Sequence, residues 1–123
     1  MIKHIPSFLT SDEINYFMDI FHNEDKKYYG DEYYKFYFVD LMGRELEVKK
    51  FSNFSFKKFR VQMVDDSINQ VEIPHLHHNP WSFIVFLNED FTGGELIFDN
   101  NEFTPKVGDM VYFSGEVYHR VNN

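Results

Sequence analysis

Cysteine is absent from this 123-residue chain, which excludes disulfides, thiol nucleophiles and Cys-based zinc sites together. Positive charge is scarce. Twelve Lys and Arg stand against 20 Asp and Glu, a formal net charge of −8, the reverse of the basic footprint that a general nucleic-acid binder needs. No stretch approaches the roughly 18 consecutive apolar residues of a membrane span. The N-terminus also lacks the basic-then-apolar pattern of a secretory signal. The expectation is a cytoplasmic protein with neither nucleic acid nor membrane as partner. Repeats and low-complexity segments are missing too, and the length fits one domain, residues 1–123. What the chain has in abundance is aromatic side chains, 15 Phe and 8 Tyr, which suit a β-rich interior.

The first 30 residues read as a helical N-terminal part packing on that interior. Ile2 to Phe8 is a short edge strand ended by Pro6-Ser7. Thr10 and Glu13 have the spacing of a capping box, in which the hydroxyl accepts from the third helical N–H and the carboxylate reaches back to the cap. Leu9 and Ile14 stand where a hydrophobic staple would, and Ile14, Phe17, Met18 and Phe21 recur at helical spacing. A helix from Ser11 to Phe21 or His22 follows from this, with His4 and His22 as isolated surface or cap residues. Residues 23–31 are polar and read as a loop. YYKFYFVD from Tyr33 reads as a strand, Met42-Gly43 as a turn before a second short strand, and residues 49–53 as a polar break. FKKFRVQMV alternates, with Phe59, Val61 and Met63 on one face and Lys58, Arg60 and Gln62 on the other. The basic group Lys49, Lys50, Lys57, Lys58 and Arg60 is expected to be a solvated edge that discourages strand pairing, with contact to an acidic substrate as the alternative.

The second half carries the chemistry. IPHLHHNP sets His75, His77 and His78 between Pro74 and Pro80, and the prolines keep that segment extended and stiff. Side chains alternate along extended chain, so His75 and His77 share a face and His78 takes the other. Neutral imidazole is the commonest protein ligand for a divalent ion, and a pair at i and i+2 can chelate one. Trp81 to Leu87 is apolar and β-forming, expected as a central strand. Shorter strands follow at Glu95 to Asp99, Met110 to Ser114 and Val117 to Val121, with turns at Asn100-Asn101 and at Lys106 to Asp109. His119 lies on the last of them. His75, His77 and His119 are the candidate metal ligands, with Asn79 as the alternative third contact. No serine has nucleophile-elbow context, and Gly93-Gly94 lacks the helix that a phosphate loop requires. Of the carboxylates Glu95, Asp99, Asp109 and Glu116, only Glu116 is close enough to His119 in sequence to be kept as a further candidate.

In order, these segments are HxH at His75–His77, FLNEDFTGGELIF from Phe86, PKVGDMVYF from Pro105, and a distal His119. Together with the opening IKHIPSFLTSDEINYFMDIF, the series resembles the iron(II)/2-oxoglutarate-dependent dioxygenases, in the prolyl 4-hydroxylase-like branch. The likeness runs along nearly the whole chain. It implies a mainly β fold with an N-terminal helix, namely a double-stranded β-helix (jelly-roll) barrel. It also implies an oxidoreductase that uses Fe(II), 2-oxoglutarate and dioxygen to hydroxylate an amino-acid or peptide side chain.

The sequence departs from the family pattern in three places. His77 replaces the Asp of the HxD pair. Met63 stands where the family often has a Tyr that hydrogen-bonds 2-oxoglutarate. The family's basic residue for the distal carboxylate, one strand after the distal His, has no counterpart, because the chain ends four residues after His119. The barrel is therefore expected to be truncated at its C-terminal side, with a bare edge through which a second copy pairs into a homodimer. Arg120 alternates away from the His119 face and does not fill the basic role. Two rivals remain open: a degenerate, non-catalytic member of the fold, and a three-histidine, cupin-like metal protein that binds Zn, Ni or another divalent ion without 2-oxoglutarate.

Overall fold

The computed structural model describes residues 2–30, 35–52, 58–64, 81–88, 96–98, 101–104, 106–114 and 119–121. In chain order the strands are β1 (Ile2–Ile5), β2 (Lys27–Gly30), β3 (Lys35–Asp40), β4 (Arg60–Val64), β5 (Trp81–Val85), β6 (Leu96–Phe98), β7 (Asn101–Phe103), β8 (Met110–Ser114) and β9 (His119–Val121). Helix α1 (Ser11–Asn23) lies between β1 and β2. The described chain is thus mainly β with one N-terminal α-helix. Its strands form three antiparallel sheets of three, ordered β1-β8-β5, β2-β3-β4 and β7-β6-β9. Packing divides the chain into two units, Met1–Ile14 with Asn69–Asn123, and Asn15–Ile68.

The helix starts where its capping box dictates. Glu13 N–H donates to Thr10 Oγ1 at 3.2 Å, and Thr10 N–H donates to Glu13 Oε1 at 2.8 Å, so two N-terminal donors are satisfied reciprocally. Asp12 and Glu13 in the first turn and His22 in the last suit the helix dipole. Phe17 and Phe21 are buried, and Ile14 and Met18 half-buried, as the apolar spacing requires.

In the unit Asn15–Ile68 the core is aromatic. Phe17 meets Phe51 and Phe59 edge-on, with ring centroids 5.8 and 6.4 Å apart, the geometry that ring quadrupoles favour. Val39 and Val61, partners across β3 and β4, are buried on one sheet face. Arg60 and Gln62 on the alternate positions are exposed, as the period-2 reading expects.

Three elements of this unit differ from the sequence reading. β2 lies inside the segment read as a loop. Its polar composition hides two cross-strand aromatic pairs, Tyr28 with Tyr37 at 4.9 Å and Tyr29 stacked on Phe36 at 5.2 Å, and such pairs stabilise a strand beyond its own propensity. The turn at Met42-Gly43 is present, with Gly43 at φ +75° and Met42 N–H donating to Asp40 Oδ1 at 2.9 Å, yet no strand follows it within 41–48. Burial of Leu41 and Val48 anchors that stretch as irregular chain instead. The segment 49–53, read as a polar break, holds a 3-10 turn at Lys49–Phe51 whose Phe51 points inward.

In the other unit Val111 and Phe113 of β8 form a buried pair, with Ile2, Ile84 and Phe86 packed against them. Here β8, not β5, is the central strand among the described residues. An apolar run such as Trp81 to Leu87 reads as buried on both faces, but Trp81 is 52% exposed and the rest is half-buried. β6 and β7 form a hairpin with Phe98 opposite Asn101, and β9 pairs with the other side of β6. The β5–β8 pair therefore brackets the β6–β7 hairpin in sequence, while β9 returns to the hairpin's sheet.

Candidate metal centre and the polar clasp at Asp109

His75, His77, His78 and Asn79 lie outside the described residues, as do Asp99, Glu95 and Glu116. His119 is the first residue of β9 and sits opposite Phe98, while Arg120 sits opposite Ile97. Met63 occupies β4 opposite Tyr37. Among the described residues no three His, Asp or Glu side chains gather as a metal site. The histidines of 75–78 are not in that set.

A different polar site is present that the sequence did not reveal. His4 on β1 lies with Nε2 2.7 Å from Asp109 Oδ2, and the Ser7 N–H donates to Asp109 Oδ1 at 2.9 Å. An ionised carboxylate only accepts, so the shared proton belongs to His4 Nε2. Asp109 is 7% exposed and sits directly after Gly108, whose φ of +84° turns the chain into β8. Gly108 N–H donates to Phe86 O at 2.8 Å, Leu9 N–H donates to Gly108 O at 3.0 Å, and Phe86 N–H donates to Asp109 O at 3.3 Å. The turn Lys106–Asp109 is therefore a junction that ties β1, the approach to α1 and the end of β5 together. Burial alone pushes the Asp109 carboxyl up. The Ser7 N–H, His4 and the nearby Lys106 outweigh it, and the pKa falls below its ordinary 3.8.

The direction of that shift fixes a pH dependence. A carboxylate held below its unfolded value contributes stability above the unfolded pKa and loses it as the pH falls through the folded value. Asp109→Asn keeps an acceptor for Ser7 but loses the charged partner of His4. It should cost about 1–2 kcal/mol near pH 6, and the difference from the parent should shrink below pH 3.8. Urea unfolding of both proteins across that range measures it. An unchanged difference at low pH would mean that the charge contributes nothing.

A second unassigned feature lies in the unit Asn15–Ile68. The Arg60 guanidinium rests 4.5 Å from the Phe36 ring centroid and 5.6 Å from that of Phe38. Its Nε–H donates to Gln62 Oε1 at 2.8 Å. Desolvation lowers the Arg60 pKa, with Asp40 and Tyr29 opposing the shift; an arginine in this setting remains cationic. A cavity of about 240 Å³ opens beside it, lined by Phe38, Asp40, Met42, Lys58, Phe59 and Arg60.

No protein-family model, curated protein or solved structure matches this chain. No helix among the described residues is long and apolar enough to cross a membrane.

Proposed function

We propose that this chain is a metal-dependent oxygenase on a jelly-roll barrel, resembling the prolyl 4-hydroxylases. His75, His77 and His119 hold iron(II), and the substrate is an amino-acid or peptide side chain that is hydroxylated with 2-oxoglutarate as co-substrate. The observation that carries the reading is strand pairing. In a jelly roll, successive strands pass between two sheets so that pairs nest, and the nest of β5–β8 around the β6–β7 hairpin, with β9 on β6, supports that arrangement. The motifs that bear the resemblance fall on this nest: GGEL runs into β6, PKVGD into β8, and the distal His119 opens β9.

The donor set fits a divalent ion. Three neutral imidazoles suit Fe, Zn, Ni or Cu, and a three-ligand face leaves positions open for exogenous oxygen ligands. The ion, when bound, would supply the oxidising chemistry. The role of His75 and His77 is to offer two imidazoles from the segment between Pro74 and Pro80, and that of His119 is to supply the third from β9. A ferrous site fits a reducing compartment, so a cytoplasmic location is part of the proposal. The co-substrate fits less well, because Met63 offers no hydrogen-bond donor at the family's Tyr position. This departure and His77 in place of a carboxylate ligand favour a second reading as a three-histidine metal protein that works without it.

Anaerobic titration of the apo-protein with iron(II), with and without 2-oxoglutarate, separates the two. The oxygenase reading expects a visible charge-transfer band only when both are present. Iron uptake with no such band selects the three-histidine reading; no uptake of iron(II) overturns the oxygenase, and no uptake of zinc or nickel either overturns both.

A further inference from the structure

The cavity beside Arg60 has the composition of a binding site rather than of a packing defect. Its lining combines three apolar side chains, Phe38, Met42 and Phe59, with the charged Lys58, Arg60 and Asp40. Asp40 and Arg60 are direct partners across β3 and β4, so they share a sheet face with Phe38 and are held by the ladder rather than by a loop. The guanidinium is fixed further by the Phe36 and Phe38 rings beneath it and by Gln62 at Nε. Its terminal N–H groups have no hydrogen-bond partner among the described residues, and they form a planar fork that matches a carboxylate. Asp40 already uses Oδ1 to accept the Met42 N–H. Two cations against one carboxylate leave one positive charge in the site, in a chain whose net charge is −8.

We propose that this cavity binds a small monocarboxylate with an apolar carbon body, its carboxylate on Arg60 and Lys58 and its body against Phe38, Met42 and Phe59. The volume is below the roughly 300 Å³ at which drug-sized sites begin, which restricts the ligand to a compact acid. A dianion would exceed the single uncompensated charge and meet Asp40. The proposal is independent of the metal reading.

Benzoate tests it on the intact chain, with benzamide as the uncharged isostere, by NMR titration. The expected result is saturable shifts at Phe38, Phe59 and the Arg60 Nε–H with benzoate and none with benzamide. Arg60→Gln should weaken benzoate by about tenfold or more, the loss of a charge-assisted pair. Arg60→Lys keeps the charge and the aliphatic stem over the rings, so it guards against a folding defect; losing the fork, it should still weaken binding about threefold. Asp40→Asn keeps an acceptor for Met42 and removes a like charge, and it should tighten benzoate by a few-fold, about what one nearby charge is worth in water. Equal response to benzamide, no saturation, or unchanged affinity in Arg60→Lys and Asp40→Asn together would overturn the proposal.

Discussion

Gly108→Ala should lower the melting temperature by about 10 °C, the shift expected for a loss of about 2–4 kcal/mol in a domain of this size. Two costs add at this position. The φ of +84° is a conformation that a residue with a Cβ enters only at about 1–2 kcal/mol. A Cβ there would also lie 2.8 Å from the Leu9 carbonyl oxygen, closer than real Cβ contacts come, and that oxygen belongs to backbone that cannot swing away cheaply. Moving it strains the Leu9 N–H to Gly108 O bond and, beyond it, the junction around Asp109. Gly43 provides the control. Its φ is +75°, but nothing lies within 4 Å of an added Cβ, so Gly43→Ala should cost only the conformational part, about 1 kcal/mol. Thermal unfolding of the two variants by circular dichroism separates strain from collision. Equal losses would mean that Leu9 yields without cost.

His75→Ala and His119→Ala, made singly, should each weaken iron(II) binding at least about 100-fold, beyond the 10- to 100-fold typical of residues that merely support a ligand. His77→Ala should match them if it is the third ligand. Should Asn79→Ala take its place in the ranking, the third contact is the amide instead. His78→Ala is the internal control, because the proposal gives it no place among the ligands, and its metal stoichiometry should equal the parent's. Equilibrium dialysis with metal analysis reads all five variants beside the parent. Full stoichiometry in both His75→Ala and His119→Ala would remove the site.

Local patterns were legible in the sequence where a short window contains both partners of an interaction. The capping box at Thr10 and Glu13 closes within four residues, and the alternation of Phe59 and Val61 against Arg60 and Gln62 needs only one strand. The PKVGD turn before β8 was readable for the same reason. β2 was not, because its stability comes from Tyr37 and Phe36 on the neighbouring strand. His4 looked isolated because its partner is 105 residues away, and no periodicity connects positions so far apart. Arg60 read as one more solvated cation; its place over two phenyl rings depends on the β3–β4 register, which a single strand cannot disclose. Of the candidate metal centre, the structure describes the β9 backbone at His119 and its pairing with β6. The histidine cluster itself is still a reading of the sequence.

The pairing of β1 with β8 also bears on how the protein is made. β1 leaves the ribosome about 100 residues ahead of its partner, and at the usual roughly 5–20 residues per second it waits some 5 to 20 seconds for β8. Contacts of such long range are slow to form even after synthesis, since the loop must close before the ladder rewards it. During that wait β1 is an unpaired strand. Its brevity and the exposure of Lys3 and His4 make it a poor template for another chain, so His4, which later seats the clasp, also helps keep the nascent strand from pairing elsewhere.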